Sequence, residues 1–366
     1  MISNRISTIE ESPIRKIFDI AAQNKDKNLI NLSIGLPDFD APDELKKNAI
    51  NAINNGLNRY TPSQGMPELR EKISSKLNKE NNIKCNPDNI IVTTGTSGAL
   101  FLAFNALLDP GDEIIMPDPY FVLYKQLARF IGSKPVFLDS HPDFKLDVDE
   151  LNNVITKKTK AILLNTPNNP TGVVYSANEL KQIAKLAEEN NITIISDEVY
   201  EKFVYDEEHV SIGKYYNNTF TLNGFSKSHA ITGWRLGYLC APSEYIDPMV
   251  KLQQYSFVCA PSFAQKAVAD SFNVDLTPKI NEYRKKRDMI YNGLKDKFNV
   301  TKPGGAFYIY PEAPNKDGTK FVDKCIKNKL LVVPGSAFSE KNTHFRISFA
   351  AKDKDIEKGI DILNNI

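Results

Sequence analysis

Residues 161–200 read AILLNTPNNPTGVVYSANELKQIAKLAEENNITIISDEVY. The stretch opens with a short apolar run, AILL, and closes with a second, ITII, rich in β-branched residues. Between them lie a turn dense in Asn, Pro and Gly and a helical pattern, ANELKQIAKLAEEN. Apolar runs of this length, buried on both faces and separated by a helix, predict parallel strands in a layered α/β domain.

The same rhythm extends outward in both directions, from about Asn89 to Pro242. Upstream come IIVTTG, EIIMPD and KPVFLD, with SGALFLAFNALL and FVLYKQLARF as helical patterns. Downstream come FTLNGF and RLGYLCAP. Seven runs predict a mostly parallel seven-stranded sheet in a large α/β/α domain, set at residues 42–275. From about Leu276 the pattern changes to a basic helix (KINEYRKKRDMIYNGLKDKF), short strands in GAFYIYP, LLVVPG and HFRISFA, and further helices. That α+β pattern predicts a smaller domain of residues 276–366 together with the N-terminal segment 1–41. DAPDELK and NPDNI read as helix starts or turns, with Asp capping and Pro at the first helical position.

Bulk properties narrow the function classes. The 366 residues are 41% apolar and 25% charged with a net charge of +1, an ordinary globular balance. Such a chain has no field to gather nucleic acid or an anionic membrane. No apolar run is long enough to span a bilayer, and the charged start, MISNRISTIEESPIRKIF, has no apolar signal core. Cys85, Cys240, Cys259 and Cys325 form no CxxC pair and read as free thiols of a reducing cytoplasm. The four histidines are scattered, and no metal site is expected.

Chemistry concentrates in NGFSKSHAITGWRLGY, residues 223–238. Lys227 follows a buried-type strand in a Ser/Gly-rich turn. It is either a solvated loop lysine or an enclosed amine beside Arg235, whose proton is more easily lost and whose neutral form is a nucleophile. Asp197 and Glu198 end ITIISDE, at the sheet edge where α/β ligands bind. Asp197 reads either as a helix cap or as the partner of a ligand cation. TTGTSGALFLAF is a strand end, a small-residue turn and a helix, which aims free N–H groups at an anion. Gly95, Thr96 and Ser97 are the candidates there, with Arg235 as counter-charge.

NPTG, SDEVY, SK and GWRLGY fall at successive strand ends, and together they resemble the fold-type I aminotransferases of class I/II, above all the aspartate and aromatic aminotransferases of bacteria and archaea. The resemblance runs through SIGLPDF, RYTPSQGMPELR, TTGTSGAL, DPGDEIIMPDPYF, PNNPTG, PGGAFYIYP, VVPGSAF and FRISFA. It implies pyridoxal 5′-phosphate (PLP) as cofactor, an L-amino acid and a 2-oxo acid such as 2-oxoglutarate as substrates, and a ping-pong amino transfer. Lys227 is implied to bond the cofactor and shuttle the α-proton. Asp197 would face the pyridine nitrogen, while Asn169 and Tyr200 would face the ring 3-oxygen. Phe121 would stack on the ring, or else is a core aromatic. Arg346 would bind the α-carboxylate, Gly35 would close over the substrate, and Tyr60 would reach the phosphate of a second subunit in a homodimer with shared sites. Gly224 departs from the pattern, since many relatives carry a phosphate-binding serine there. Aspartate-type donors are the first expectation, and Phe121 and Tyr124 keep aromatic donors open. A PLP-dependent carbon–sulfur β-lyase is the alternative reading.

Overall fold

The computed structural model describes residues 2–23, 26 and 28–366. Its centre is a seven-stranded sheet. In chain order the strands are β1 (Ile90–Thr93), β2 (Glu113–Asp118), β3 (Lys134–Asp139), β4 (Thr159–Asn165), β5 (Thr193–Asp197), β6 (Thr219–Gly224) and β7 (Gly237–Cys240). They lie side by side as β1-β7-β6-β5-β4-β2-β3. Only β7 is antiparallel, to β1 on one side and β6 on the other. All seven runs singled out in the sequence therefore join one mostly parallel sheet.

The apolar runs form strands because both faces are covered. Ile162, Leu164, Ile192 and Ile194 pack into one buried cluster with Leu180, Ile183 and Ala187. Leu163, Ile195 and Leu222 face the opposite cluster, with Leu100, Phe104 and Tyr124. Each such aliphatic side chain taken from water contributes roughly 1.5–3 kcal/mol. The helical segments that follow strands of this sheet include α1 (Gly95–Leu107), α2 (Val122–Ile131), α3 (Ala177–Glu189) and α4, a single turn at Phe225–Ser228.

Smaller elements gather beside this sheet. Tyr308–Ile309, Phe345–Ser348 and Val333–Pro334 form a three-stranded antiparallel sheet. Ile30–Asn31 pairs in parallel with Leu330–Leu331, which ties the N-terminal segment to the C-terminal part. The strands within GAFYIYP and LLVVPG are only two residues long. The DAPDELK reading needs correction: the helix is Asp43–Asn54, with Pro42 just outside it and no side-chain cap. Asp40 instead accepts from the Ala41 amide at 2.8 Å and from Lys46.

Candidate active site

The carboxyl ends of the central strands open into a cavity of about 580 Å³. Gly35, Thr96, Ser97, Phe121, Asn169, Asp197, Tyr200, Lys227, Arg235 and Arg346 all line it. Gly95 lies just behind the wall and Tyr60 stands apart, 83% exposed on the surface. Motifs up to 311 residues apart thus converge, because the ends of β1, β2, β4, β5 and β6 each contribute residues at or after the strand, and the smaller elements add Gly35 and Arg346.

Lys227 sits in α4, immediately after β6, and donates to the Gly35 carbonyl at 2.7 Å. Its nitrogen also lies 5.8 Å from the Tyr200 ring centroid and 5.9 Å from that of Phe307. Burial pulls the amine down to about 8, and the guanidiniums of Arg346 and Arg235 add to the effect. Asp197 ends β5 and is 4% exposed. Burial lifts its carboxyl to about 6, against the opposing hydrogen bond from Tyr124. The Tyr124 hydroxyl donates to Asp197 Oδ2 at 2.7 Å, and the Val199 amide donates to Oδ1 at 3.2 Å. Asp197 therefore does hold the following turn, as a capping residue would, while its carboxylate also faces the cavity.

Arg346 is almost wholly buried, in the strand Phe345–Ser348. It donates to Asn169 Oδ1 at 3.0 Å and to the Ser33 carbonyl at 2.7 Å. Tyr308 and Phe338 sandwich its guanidinium at 4.5 and 4.6 Å, and its Nε has no hydrogen-bond partner. A buried, oriented guanidinium with a donor to spare suits a planar carboxylate. Asn169 is fixed in turn by its own amide, which donates to Asn165 Oδ1 at 2.8 Å.

At the other end of the cavity, Gly95 opens α1 with φ +71°, in the left-handed region that favours glycine. A Cβ there would lie 2.7 Å from Arg235 Nη2, so the guanidinium reaches over the first helical turn. Arg235 is itself left-handed, at φ 55°, and its Nη1 donates to the Thr232 carbonyl at 2.9 Å. Gly224 makes close contact here too. A Cβ would meet Thr96 Oγ1 at 3.1 Å and the Gly237 Cα at 3.2 Å, so a side chain there would need its neighbours to give by a few tenths of an ångström.

These residues fit PLP. An anion-binding helix start with an arginine above it suits a phosphate. The Lys227 amine, the buried Asp197 carboxylate and the Tyr200–Asn169 pair offer partners for an aldehyde, a pyridine nitrogen and a ring oxygen.

A profile for aminotransferases of class I and II matches residues 27–363. The chain belongs to that family. Class I/II aminotransferases are in general PLP-dependent, in keeping with the donor set described above. The aminotransferase chain is 44% identical to a probable aspartate aminotransferase of Methanocaldococcus jannaschii, over the full length of both. It is 37% identical to aromatic-amino-acid aminotransferase 2 of Thermococcus litoralis, covering 100% of this chain and 98% of that one. The solved aspartate aminotransferase of Thermus thermophilus with maleate superposes with a TM-score of 0.93 at 34% identity, covering 100% and 99% of the two chains.

Sequence reasoning misses several of this aminotransferase's cavity residues. In the sequence Tyr124 bears only on aromatic donors, yet its hydroxyl is bound to Asp197. Its place one helical turn beyond Phe121, on the buried side of α2, is the signal that could have found it. Tyr308 bonds the Tyr200 hydroxyl at 2.8 Å beneath Arg346. Ser12, Ile14, Phe18 and Leu36 enter from the N-terminal segment, which carries no strand-end motif to mark it.

Proposed function

We propose that this protein is a PLP-dependent aminotransferase that moves the amino group of an L-amino acid to a 2-oxo acid by a ping-pong cycle. The observation that carries the reading is the pairing of a lowered lysine, Lys227, with a raised carboxyl, Asp197, in one cavity with Arg346. When bound, PLP supplies the electron sink that makes the substrate α-proton removable.

The chain's own groups do the rest. Arg346, held by Asn169 and Ser33, takes the α-carboxylate and so orients the α-carbon. Lys227, whose amine has no carboxylate partner, would hold the cofactor and is the base placed to move the proton at the substrate α-carbon. Asp197, braced by Tyr124 and the Val199 amide, keeps a pyridine nitrogen protonated. Tyr200 and Asn169 would bond the ring oxygen, Phe121 would cover the ring face, and Gly95, Thr96, Ser97 and Arg235 would take the phosphate. Tyr60, remote from its own cavity, reaches the phosphate of a second subunit, in a homodimer with shared sites. Residues 42–275 form the cofactor-binding domain, and residues 1–41 with 276–366 form the smaller one. No helix among the described residues is long and apolar enough to cross a membrane, and the enzyme is read as cytoplasmic.

The donor is narrowed by the cavity wall. Among the described residues its cations are Lys227, Arg235 and Arg346, each already given a task. Ile14, Phe18, Leu36, Leu100 and Val122 make much of the remaining wall apolar, beside the neutral Ser12 and Thr232. This chain can house an aromatic side chain unaided, whereas the second carboxylate of aspartate needs a cation from the partner subunit. A panel of donors with 2-oxoglutarate tests the reading. Amino transfer should occur with aspartate or phenylalanine, and Arg346→Lys should weaken both alike. Pyruvate and thiol release from cystathionine without an acceptor would overturn it in favour of the lyase. Loss of aspartate turnover alone would make Arg346 the reader of the distal carboxylate.

A further inference from the structure

Behind Asp197 lies a second group of charged residues that the reaction does not use. Glu198, the next residue, is fully buried and takes no part in the cavity wall. Its Oε1 accepts from the Ser196 hydroxyl at 2.8 Å and the Ser211 hydroxyl at 2.6 Å. Its Oε2 faces His209 Nε2 at 3.0 Å, and its backbone amide donates to the Leu222 carbonyl of β6 at 2.8 Å. Glu201, three residues on in the same turn, bonds Lys76 and Asn81.

Glu198, Glu201 and His209 bring three ligand-type atoms within 4.8 Å of one another, so a cation site must be weighed. Every carboxylate oxygen of the pair already accepts a hydrogen bond, and the Lys76 ammonium is the cation that Glu201 holds. The group is a brace. His209 Nδ1 is buried with no hydrogen-bond partner, so Glu198 is the imidazole's one side-chain contact of this kind among the described residues.

A carboxylate buried among two hydroxyls and an imidazole is costly compared with an apolar residue of the same size, and it fixes geometry in return. What it fixes is the turn 198–201. That turn supplies the Val199 amide to Asp197 Oδ1, and it carries Tyr200, whose hydroxyl meets Tyr308. Through Leu222 it is also locked to the strand that delivers Lys227 five residues later. We propose that Glu198, with Ser211 and His209, is a positioning element that sets the orientation of Asp197 and Tyr200 toward the cofactor ring.

The proposal rests on the PLP reading, and wild-type amino transfer with a PLP-type absorbance band checks that reading separately. In the holoenzyme, Ser211→Ala should lower kcat about tenfold, as expected for one lost hydrogen bond to a charged group. KM for the amino donor should stay within about twofold, because Arg346 is untouched. Ser211→Ala should also move the pH midpoint of the cofactor's visible band, and Glu198→Leu should move it further. In an Asp197→Asn background, Ser211→Ala should cost almost nothing more, since its effect passes through Asp197. Should Glu198→Leu fail to fold, Ser211→Ala and the double variant carry the test. Additive losses in the double variant would overturn the proposal. So would a lower Tm with kcat per bound cofactor and the band midpoint both unchanged.

Discussion

Two carboxylates four residues apart on one turn behave in opposite ways. Asp197 is buried and the Glu201 side chain is 9% exposed, yet burial carries Asp197 up to about 6, while Glu201 is held down at about 2. Burial pushes Glu201 upward too, but Lys76, His209 and Lys202 outweigh it. The lysines repeat the contrast. Lys227 is drawn down to about 8 by burial and by Arg346 and Arg235. Lys286 stays above its usual value, because Asp38 and Glu282 overcome the effect of burial. Among the described residues neither Asp197 nor Lys227 forms an ion pair, while Glu201 pairs with Lys76 and Lys286 with Asp38. Burial alone does not mark a reactive group. A buried charge left without its opposite, facing a cavity, is the mark.

The sharpest way to break this contrast is to remove the unpaired amine. Lys227→Ala should retain PLP through the phosphate contacts yet lose transamination by several orders of magnitude, as a deleted nucleophile and proton carrier would. Single-turnover measurement of half-transamination checks it. Near-normal rates would make Lys227 a bystander.

Next comes its unpaired carboxylate. Asp197→Asn should keep the fold and the Val199 turn, since an amide oxygen can still accept, but it cannot hold a pyridinium charge. The expected loss in kcat is roughly 4 kcal/mol, the scale of one lost preorganised electrostatic contact. A much smaller loss would reduce Asp197 to the capping residue that its sequence equally allows.

How far these roles are legible in the sequence follows the same division. Strand ends announce themselves, because a buried apolar run that stops at Asn, Asp, Gly or Lys puts a polar group where the sheet opens to a ligand. Asn169, Asp197, Lys227 and the α1 turn are therefore visible, as is the sheet. Tyr124 and Tyr308 are not, because a buried aromatic in an apolar stretch looks the same whether its hydroxyl meets solvent, backbone or a carboxylate. Ile14, Phe18 and Leu36 are invisible for a different reason. Leu36 follows the pairing of Ile30–Asn31 with Leu330–Leu331, and Ile14 and Phe18 sit on the helix Pro13–Gln23, which packs on Val333–Pro334 and Gly335–Ala337, contacts across about 300 residues that no local pattern encodes. The brace behind Asp197 is hidden as well, since the sequence sets Glu198 beside Asp197 at the sheet edge and marks neither its donors nor Glu201.

A third test uses pH on the cofactor-free protein. The Lys227 amine titrates near 8 in the folded chain, against 10.5 ordinarily. Below pH 8 both folded and unfolded chains are protonated, and the cost of burying the ammonium stands in full. Between about 8 and 10.5 the folded chain has lost the proton and the unfolded chain still binds it, so stability rises with pH. The gap corresponds to roughly 3 kcal/mol at most, reduced by screening through the cavity mouth. Urea unfolding at several pH values in this window, wild type against Lys227→Met, isolates the effect. Identical slopes for both proteins would show that the amine is not depressed.

The smallest expected effect lies on the paired side. Lys286→Met removes a buried ammonium, 3% exposed, that bridges Asp38 and Glu282. Asp38 keeps the Tyr283 hydroxyl at 2.7 Å and is itself partly open to water, so it is not stranded. The loss should be about 1–2 kcal/mol, below the figure for a wholly buried pair broken on one side. Its pH dependence should run opposite to that of Lys227. A lysine raised above its usual value contributes stability that is complete below pH 10.5 and fades as pH climbs past that point. Wild type and Lys286→Met should therefore converge at high pH. Turnover per bound cofactor should hold within about twofold, because Tyr283 still ties Asp38 and with it the SIGLPDF segment that presents Gly35 to Lys227. A stability loss without a kinetic one would confirm that completed pairs hold the scaffold. A kinetic loss at unchanged stability would place Lys286 on the side of the reacting groups, and the contrast between paired and unpaired charge would fail.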